Sequence, residues 1–330
     1  MPDTGYRGRR RLRWHDLEPG RDRLLVDVLA GLQKRQKELP CKYLYDAQGS
    51  RLYERICQLS EYYLPAVEAA IMSSHIDEMA RLIGQQVRLI EYGCGNCEKV
   101  RFLLDHLDGP VAYIPIDISR KQLRRVAREL SDGYPELEIL PVCADYTSRF
   151  DLPIARRQGR RAVAYFPGST IGNFAPAAAR QFLKSLAKVC GPGGGLLIGV
   201  DLEKDPAVLH RAYNDSQGVT AAFNLNLLER INRELGADFQ TQQFEHYAFY
   251  NRPAGRVEMH LISRRDQTVR LDEATITFAR GETVWTESSY KYSLEGFQEL
   301  AAAAGWLVER VWTDDRQWCS VQYLVNARSA

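Results

Sequence analysis

One short stretch of the chain, Val87–Lys99, has the residue types and spacing of a nucleotide-type binding loop. It reads Val-Arg-Leu-Ile-Glu-Tyr-Gly-Cys-Gly-Asn-Cys-Glu-Lys, an apolar strand followed by a Gly-x-Gly turn and the start of a helix. Gly93 and Gly95 lack a Cβ, so the backbone can turn sharply and approach a bound molecule closely. Asp117 ends the next apolar segment, about 20 residues further on, where an acid commonly binds ribose hydroxyls. We therefore predict a site for a cofactor that contains a nucleoside.

Glu98 distinguishes between two cofactors of this kind. A dinucleotide-binding loop has a third glycine at this point, where the pyrophosphate lies on the helix N-terminus. Here the position carries a carboxylate, which would repel a pyrophosphate. S-adenosylmethionine (SAM) has a ribose and an adenine but no phosphate, so we favour SAM. An NAD-dependent oxidoreductase is the alternative from another enzyme class, and a cofactor titration would separate the two.

The composition is that of an ordinary soluble globular protein. Of the 330 residues 45% are hydrophobic and 26% charged, and the formal net charge of +2 gives no reason to expect a nucleic-acid partner. The basic cluster Arg7–Arg13 lies in the first 20 residues, which we interpret as a solvated tail. No apolar run is long enough to span a membrane, no secretory signal is recognisable, and the seven scattered cysteines indicate reduced thiols. We predict a cytoplasmic protein without a membrane partner.

From Val87 onward, strand and helix patterns alternate. The predicted strands are Val87–Gly93, Ala112–Ile118, Glu138–Cys143, Arg161–Phe166 and Gly195–Leu202, with helices such as Arg120–Leu130 and Ala175–Val189 between them. Several strands are apolar throughout, which is typical of a parallel sheet covered by helices on both faces. The first four strands end in the polar or small residues Gly-Cys-Gly, Asp117, Asp145-Tyr146 and Pro167-Gly-Ser-Thr. Ligands bind at this edge of such sheets, so these residues are expected to form one site.

The alternation stops after Leu202. The pattern predicts helix over residues 205–236, a hairpin of Phe244–Phe249 and Arg256–Ser263, and two further short strands, Thr268–Leu271 and Ala274–Phe278. We interpret this block as an inserted second domain. A helix over 294–305 and two terminal strands, Trp306–Trp312 and Trp318–Leu324, then complete the main sheet as an antiparallel hairpin. Upstream, residues 24–37 are predicted to be helical, and a tyrosine-rich segment follows, interpreted as either core contacts or a substrate-lining lid.

Eight sequence blocks in order carry a resemblance to one family. They are Tyr45-Asp-Ala-x-Gly-Ser, Glu61-Tyr-Tyr, Glu91–Lys99, Gly168-Ser-Thr-Ile-Gly-Asn, Asp201-Leu-x-Lys-Asp-Pro, Tyr213-Asn-Asp, Gly218-Val-Thr-Ala-Ala-Phe-Asn and Thr286-Glu-x-Ser. Together they resemble the histidine-specific Nα-methyltransferases of ergothioneine biosynthesis. The resemblance implies an enzyme that uses SAM to add three methyl groups in turn to the α-amine of L-histidine, giving hercynine. Methylation of another amino acid or amine on the same scaffold is the alternative function.

The resemblance also implies a fold and a domain plan. The fold is α/β, with a Rossmann-like class I methyltransferase sheet that ends in an antiparallel C-terminal hairpin, plus a smaller α+β substrate-binding domain. Residues 1–66 and 200–292 would form the substrate-binding domain, and residues 67–199 and 293–330 would form the SAM-binding domain. We predict a monomer.

By the family pattern, the cofactor would lie on the glycine loop and the ends of the first strands. The implied residues are Gly93, Gly95, Lys99, Asp117, Asp145 and Tyr146. Asp117 would accept from the ribose hydroxyls and Asp145 from the adenine amino group, with Tyr146 beside the ring. Lys99 would meet the methionine carboxylate.

The same pattern places L-histidine on residues from both parts of the chain. Asn173 and Tyr213 would bind the α-amino-carboxylate, Tyr45 would lie near the reacting amine as the candidate catalytic residue, and Tyr62 would line the pocket. Glu287 and Ser289 would bind the imidazole, and Met259 would pack against it. Residues two apart on a strand face the same way, and neutral imidazole has one donor and one acceptor nitrogen, so a carboxylate and a hydroxyl can hold both. No histidine falls in a matched position, so we expect no dedicated strong base.

The chain departs from the family at Cys94 and Cys97, where serine or threonine is usual. A Cys-x-x-Cys at such a turn can be a redox pair or half a zinc site. No further cysteine pair or histidine in sequence reach would complete a metal site, so we predict none and interpret the cysteines as small polar replacements. A non-catalytic binding module is a third alternative, which the chemically competent side chains at every matched position disfavour.

Overall fold

The structure is a computed structural model that describes residues 13–17, 20–95, 97–148 and 150–327. Its strands are β1 (His15–Leu17), β2 (Lys37–Glu38), β3 (Arg88–Tyr92), β4 (Ala112–Asp117), β5 (Glu138–Ile139), β6 (Val142–Ala144), β7 (Ala162–Phe166), β8 (Gly195–Asp201), β9 (Phe244–Asn251), β10 (Arg256–Ser263), β11 (Gln267–Leu271), β12 (Ala274–Phe278), β13 (Thr283–Tyr290), β14 (Trp306–Thr313) and β15 (Cys319–Asn326). Its α-helices are α1 (Arg21–Leu32), α2 (Ala47–Ile56), α3 (Leu64–Ile83), α4 (Glu98–Leu104), α5 (Arg120–Gly133), α6 (Pro176–Cys190), α7 (Pro206–Tyr213), α8 (Val219–Leu235) and α9 (Leu294–Ala302).

The largest sheet has the order β1-β6-β4-β3-β7-β8-β15-β14, with β5 beside β4. Strands β3, β4, β6, β7 and β8 pair in parallel, whereas β15 is antiparallel to both β8 and β14. The parallel strands are buried almost throughout, as their apolar sequences predict. The Rossmann-like sheet with its antiparallel terminal hairpin is therefore confirmed. Its strand order reverses at β3, between β4 and β7, which is where ligands bind in such sheets.

A second sheet has the order β2-β13-β10-β9, and β11 and β12 form a separate hairpin. The predicted β9–β10 hairpin is confirmed. In this sheet Met259 lies opposite Glu287, and a register shift follows Met259. Helix α8 packs against β9, β10 and α2, so the side chains of this sheet that face α8 lie next to the N-terminal tyrosine-rich segment.

Three predicted elements differ from the structure. The helix predicted to reach Lys37 ends at Leu32, because Lys37 and Glu38 pair in parallel with Val284 and Trp285 of β13. The strand predicted over 138–143 is two short strands separated by Pro141, whose nitrogen cannot donate a hydrogen bond to a neighbouring strand.

The third difference lies in the segment predicted as helix over 205–236, which is two helices. The Asp215 carboxylate separates them by accepting from the backbone nitrogens of Val219, at 2.9 Å, and Thr220, at 2.8 Å, at the start of α8. This is helix capping by an acidic side chain in the turn before the helix.

The predicted tail has an ordered part. Strand β1 pairs in parallel with β6 at the edge of the main sheet, and Arg13 forms an ion pair with Glu138 at 2.6 Å. The remainder of the basic cluster, residues 7–12, lies outside the described residues. Within the described chain, no helix is both long enough and apolar enough to cross a bilayer.

Candidate active site

The glycine turn after β3 leaves open space beside its backbone. Gly93 has a φ of 81° and Gly95 a φ of 47°, and a Cβ added at either would meet no atom within 4 Å. The Gly93 backbone nitrogen donates to the Ile116 carbonyl at 2.8 Å, which fixes the turn against the end of β4. A cofactor can therefore approach this backbone without displacing a side chain, which fits the SAM site predicted from the sequence.

Asp117, at the end of β4, lies beside this turn. Its Oδ1 accepts from the Ser119 backbone nitrogen at 2.8 Å, and its Oδ2 has the Cys94 thiol at 3.7 Å as a weak partner. Burial raises the pKa of this carboxyl above its ordinary value. A carboxylate that ends a strand beside an open glycine turn is the group that commonly accepts the hydroxyl hydrogens of a ribose.

Asp145 and Tyr146 follow β6 on the same edge of the sheet. Asp145 Oδ2 accepts from Lys42 Nζ at 2.9 Å, and Oδ1 accepts from the Thr147 backbone nitrogen at 2.9 Å. Although burial opposes it, hydrogen bonds from Thr147 and Lys42 hold the pKa of Asp145 below its ordinary value. Tyr146 belongs to a cluster of aromatic rings formed with Tyr92, Phe166, Phe174 and Phe182.

Lys99 is paired with a carboxylate that the sequence did not reveal. Its ammonium forms an ion pair with Glu68 of α3, whose other oxygen accepts from the Gly168 backbone nitrogen at 2.7 Å. Glu68 is buried under the loop after β7, and a Cβ at Gly199 of β8 would overlap its carboxylate. Despite burial, Glu68 raises the pKa of Lys99, so the ammonium stays charged. Any cofactor carboxylate would share this ammonium with Glu68.

A cavity of about 530 Å³, its open mouth included, lies between the loop after β7 and the second sheet. It is lined by the predicted catalytic residue, Tyr45, and by all six residues predicted to bind the substrate: Tyr62, Asn173, Tyr213, Met259, Glu287 and Ser289. Tyr45 also lines a wider cavity that reaches Ile118 and Ser119, next to Asp117. Tyr45 therefore borders both cavities.

Aromatic rings form one wall of the substrate cavity. The Tyr45 ring meets those of Tyr53 and Phe223 edge-on, each with its centroid 5.5 Å away, and Tyr62 meets Tyr213 edge-on at 6.2 Å. Burial raises the pKa values of Tyr45, Tyr62 and Tyr213, and burial together with the neighbouring Cys57 raises that of Tyr53, so these hydroxyls are neutral at physiological pH. The rings offer apolar faces and hydrogen-bonding hydroxyls but no tyrosinate base.

Glu287 is the acidic group of this cavity. Its Oε2 atom is buried and has no hydrogen-bond partner among the described residues. Burial raises the pKa of the carboxyl to about 7, against the opposing effect of the nearby Lys291 ammonium. A buried carboxylate oxygen without a partner is costly, so its presence in a cavity indicates a ligand that donates to it.

A chain of hydrogen bonds joins two hydroxyls that line the cavity to a buried ammonium. Tyr213 Oη donates to Ser289 Oγ at 2.7 Å, and Lys291 Nζ donates to both oxygens, at 3.1 and 2.7 Å respectively. Lys291 also forms an ion pair with Asp201 at 2.8 Å. Strand β13 thus presents the Glu287 carboxylate and the Ser289 hydroxyl to the cavity, as their spacing predicts, and α7 adds the Tyr213 hydroxyl.

With this geometry established, comparison with known proteins places the chain. The sequence model described as histidine-specific, SAM-dependent methyltransferases matches residues 24–326. The chain belongs to this family. A histidine N-alpha-methyltransferase of Mycolicibacterium smegmatis is 42% identical over 293 residues, which cover 87% of this chain and 90% of the relative. One of Mycobacterium tuberculosis is 41% identical over 295 residues, which cover 88% of this chain and 90% of the relative. Ergothioneine biosynthesis protein 1 of Neurospora crassa is 33% identical over 285 residues, 84% of this chain and 32% of the relative.

The family membership confirms SAM as the cofactor and excludes the NAD-dependent alternative. It also sets Cys94 and Cys97 in context. Both thiols are buried and unoxidised in the cofactor turn of this methyltransferase, and burial raises the pKa values of both, that of Cys97 to about 12. Among the described residues no group of three or more His, Cys, Asp and Glu side chains could hold a metal ion. Protonated, buried thiols are poor nucleophiles, which favours their interpretation as small polar replacements over a redox pair.

Several functional neighbours escaped the sequence reasoning. Glu68 lies in a helix whose pattern gives no chemical signal. Lys291 follows the Thr286-Glu-x-Ser block, and its partner Asp201 lies in the Asp201-Leu-x-Lys-Asp-Pro block. The available signal was that each of these blocks contains or adjoins a charged residue to which no role had been given. In this methyltransferase Lys291 and Asp201 form one network, and Lys291 extends it to Ser289 of the cavity.

Proposed function

We propose that this protein transfers methyl groups from SAM to the α-amine of L-histidine, three in turn, to give hercynine. The observation that carries the proposal is the unpartnered, buried Oε2 of Glu287 in an aromatic-walled cavity. Among the amino acids, histidine offers a ring N–H for this carboxylate and a second ring nitrogen for a hydroxyl. The names of the two mycobacterial relatives support the same reaction.

We propose that the cofactor lies on the glycine turn, with Asp117 on its ribose, Asp145 and Tyr146 at its adenine, and Lys99 at its carboxylate. The open space beside Gly93 and Gly95 and the position of Asp117 at the end of β4, beside that turn, support this placement. When bound, SAM supplies an electrophilic methyl group on a sulfonium. The cavity that reaches Ile118 and Ser119 meets the substrate cavity at Tyr45, so the two ligands can approach one another there.

For the substrate, we propose that Asn173 and Tyr213 bind the α-amino-carboxylate while Glu287 and Ser289 bind the ring, with Met259 against it. Asn173 ends the turn after β7, and Met259 lies opposite Glu287 in the second sheet. This arrangement fixes the amine relative to the cofactor side, which lowers the barrier by orientation. Since Tyr45 is neutral, we assign it to holding the amine in line with the methyl donor rather than to removing its proton.

The product needs a different kind of stabilisation. A trimethylated amine carries a fixed positive charge and no N–H, so it can be stabilised only by charges or ring faces. Tyr45, Tyr53, Tyr62 and Phe223 supply such faces next to one another. Cation–π attraction to these rings allows the cavity to retain the amine as its methyl groups accumulate.

We further propose the two-part organisation predicted from the sequence, in which residues 1–66 and 200–292 hold the substrate and the rest holds SAM. The separation of the second sheet from the main sheet supports this organisation. The exceptions are β1 and the last two residues of β8, which belong to the main sheet. We also propose a monomeric, cytoplasmic enzyme without a nucleic-acid partner, in keeping with the near-neutral net charge and free thiols. We propose that the hercynine made by this protein is used for ergothioneine biosynthesis, which the name of the Neurospora relative supports.

A single assay tests the proposal. The protein is incubated with SAM and one amino acid at a time, for each of the twenty amino acids, and the masses of the products are measured by mass spectrometry. We expect histidine alone to gain three methyl groups efficiently. Efficient methylation of a different amino acid, with histidine unchanged, would favour the alternative function on the same scaffold.

A further inference from the structure

Beneath the substrate cavity lies a network of three buried charges. The side chains of Asp201, Lys204 and Lys291 are 2%, 3% and 0% exposed. Asp201 pairs with Lys204 at 2.5 Å through Oδ1 and with Lys291 at 2.8 Å through Oδ2, and Tyr63 Oη donates to both oxygens at 2.8 Å. Buried charges are retained only where they are paired, and here two cations share one carboxylate.

Lys291 is the cation on the cavity side of this network. An ammonium has three N–H donors, and those of Lys291 meet Asp201, Ser289 Oγ and Tyr213 Oη. Although burial would lower it, Asp201 raises the pKa of Lys291 above its ordinary value, so the group stays charged. Lys291 can therefore act on the two hydroxyls only as a donor.

The hydrogen bonds that Ser289 Oγ accepts determine what its own hydroxyl can still do. Ser289 Oγ accepts from Lys291 at 2.7 Å and from Tyr213 at 2.7 Å. A hydroxyl oxygen has two acceptor sites, and both are occupied. The one remaining capacity of Ser289 is to donate its own hydrogen, and the residue lines the cavity beside Glu287.

We propose that Lys291 is a positioning residue that fixes Ser289 as a hydrogen-bond donor toward the cavity, so that the site selects a neutral imidazole held in one tautomer. Glu287 accepts from the ring N–H, and Ser289 donates to the unprotonated ring nitrogen. An imidazolium has two donor nitrogens and would face a donor and a buried cation on the serine side. The inference rests on the proposed function and specifies how that site recognises its ring.

The first experiment compares Lys291→Met with the matched variant Lys204→Met. Each removes one ammonium from Asp201 and leaves the other in place, but the hydrogen bonds of Lys204 go to Asp201 and to the Leu202 carbonyl rather than to the cavity hydroxyls. The substrates are L-histidine and the two pyrrolylalanines, which keep a ring N–H and replace the acceptor nitrogen by C–H. The readout is the ratio of kcat/KM for histidine to that for each analogue.

We expect the wild type to prefer histidine strongly over both pyrrolylalanines. Lys291→Met should lower this preference by about tenfold or more, because the donor to the ring nitrogen loses its fixed direction. The variant should have a higher KM for histidine, whereas its kcat/KM for each analogue should stay within about twofold of the wild-type value. Lys204→Met should keep the wild-type preference. An equal loss on all three substrates in Lys291→Met, or an equal loss of preference in Lys204→Met, would overturn the proposal.

A second measurement needs no variant. Nitrogen-15 NMR of ring-labelled L-histidine, bound to the wild-type protein with S-adenosylhomocysteine at pH 7–8, reports the protonation of each ring nitrogen. We expect one nitrogen with and one without a proton. Two protonated nitrogens, or a rapid mixture of tautomers, would refute the role of Lys291 while leaving histidine methylation itself intact. Absence of histidine turnover in the wild type would instead refute the proposed function.

Discussion

Replacing Glu287 by glutamine should make the free protein more stable at alkaline pH while it weakens histidine binding. Burial raises the pKa of Glu287 from 4.5 to about 7. The folded protein therefore binds a proton that the unfolded chain has already released between these pH values. Stability falls as the pH rises through this window, and the penalty is complete above pH 7.

The size of this effect follows from the pKa difference. At 1.36 kcal/mol per unit, the ionised carboxylate costs about 3 kcal/mol of folding free energy above pH 7. Between pH 5.5 and pH 8 the cost grows by roughly 2 kcal/mol. The amide of the Glu287→Gln variant cannot ionise. The difference in free energy of unfolding between this variant and the wild type should therefore be roughly 2 kcal/mol larger at pH 8 than at pH 5.5, in favour of the variant. Any constant offset from the amide cancels in the comparison of the two pH values.

The assay is urea unfolding of both proteins at pH 5.5 and pH 8, without ligands. Glu309→Gln serves as the matched control, because Glu309 is a solvent-exposed glutamate of β14. Histidine titration by calorimetry completes the experiment, and the variant should bind about ten- to a hundredfold more weakly, the value of a hydrogen bond to a charged group. Parallel pH dependences in wild type and Glu287→Gln, or unchanged histidine affinity, would refute the reasoning.

Three further outcomes are expected. Asp117→Ala should abolish measurable binding of S-adenosylhomocysteine with an unchanged circular dichroism spectrum, and retained binding would exclude the ribose contact. The Cys94→Ser/Cys97→Ser double variant should stay active and free of metal, and a folded but inactive variant would contradict this. The native thiols should react slowly with alkylating agents because both are buried. Protonation of Glu287 should lower histidine affinity by about tenfold per pH unit below pH 7, in addition to the loss from protonation of the substrate ring, and Glu287→Gln should lack the Glu287 share.

Local sequence patterns predicted the main sheet because its strands are apolar throughout and separated by amphipathic helices. Residues 87–93 and 195–202, for example, contain β3 and β8 within one or two residues of their observed ends. The helix predicted to reach Lys37 failed for a tertiary reason. Lys37 and Glu38 pair with a strand almost 250 residues away, and no local pattern contains that contact.

The same division applies to the site. The glycine turn and Asp117 could be derived from the residues, since a turn without Cβ atoms and an acid after the next strand have a direct chemical meaning. Glu287 alone is a glutamate on a strand, and only its resemblance to a family motif gave it a role. Glu68 and Lys291 have their partners in distant parts of the chain, so their places beside the candidate site emerge only once the fold brings these groups together.

The central claim is that the α-amine of histidine is the methyl acceptor. It is tested most directly by incubating the protein with L-histidine and SAM labelled with carbon-13 at the transferred methyl group. The product is then examined by NMR. We predict a single carbon-13 methyl resonance of a trimethylammonium group, coupled through nitrogen to the α-carbon. Label on a ring nitrogen, or no label on histidine at all, would contradict the account.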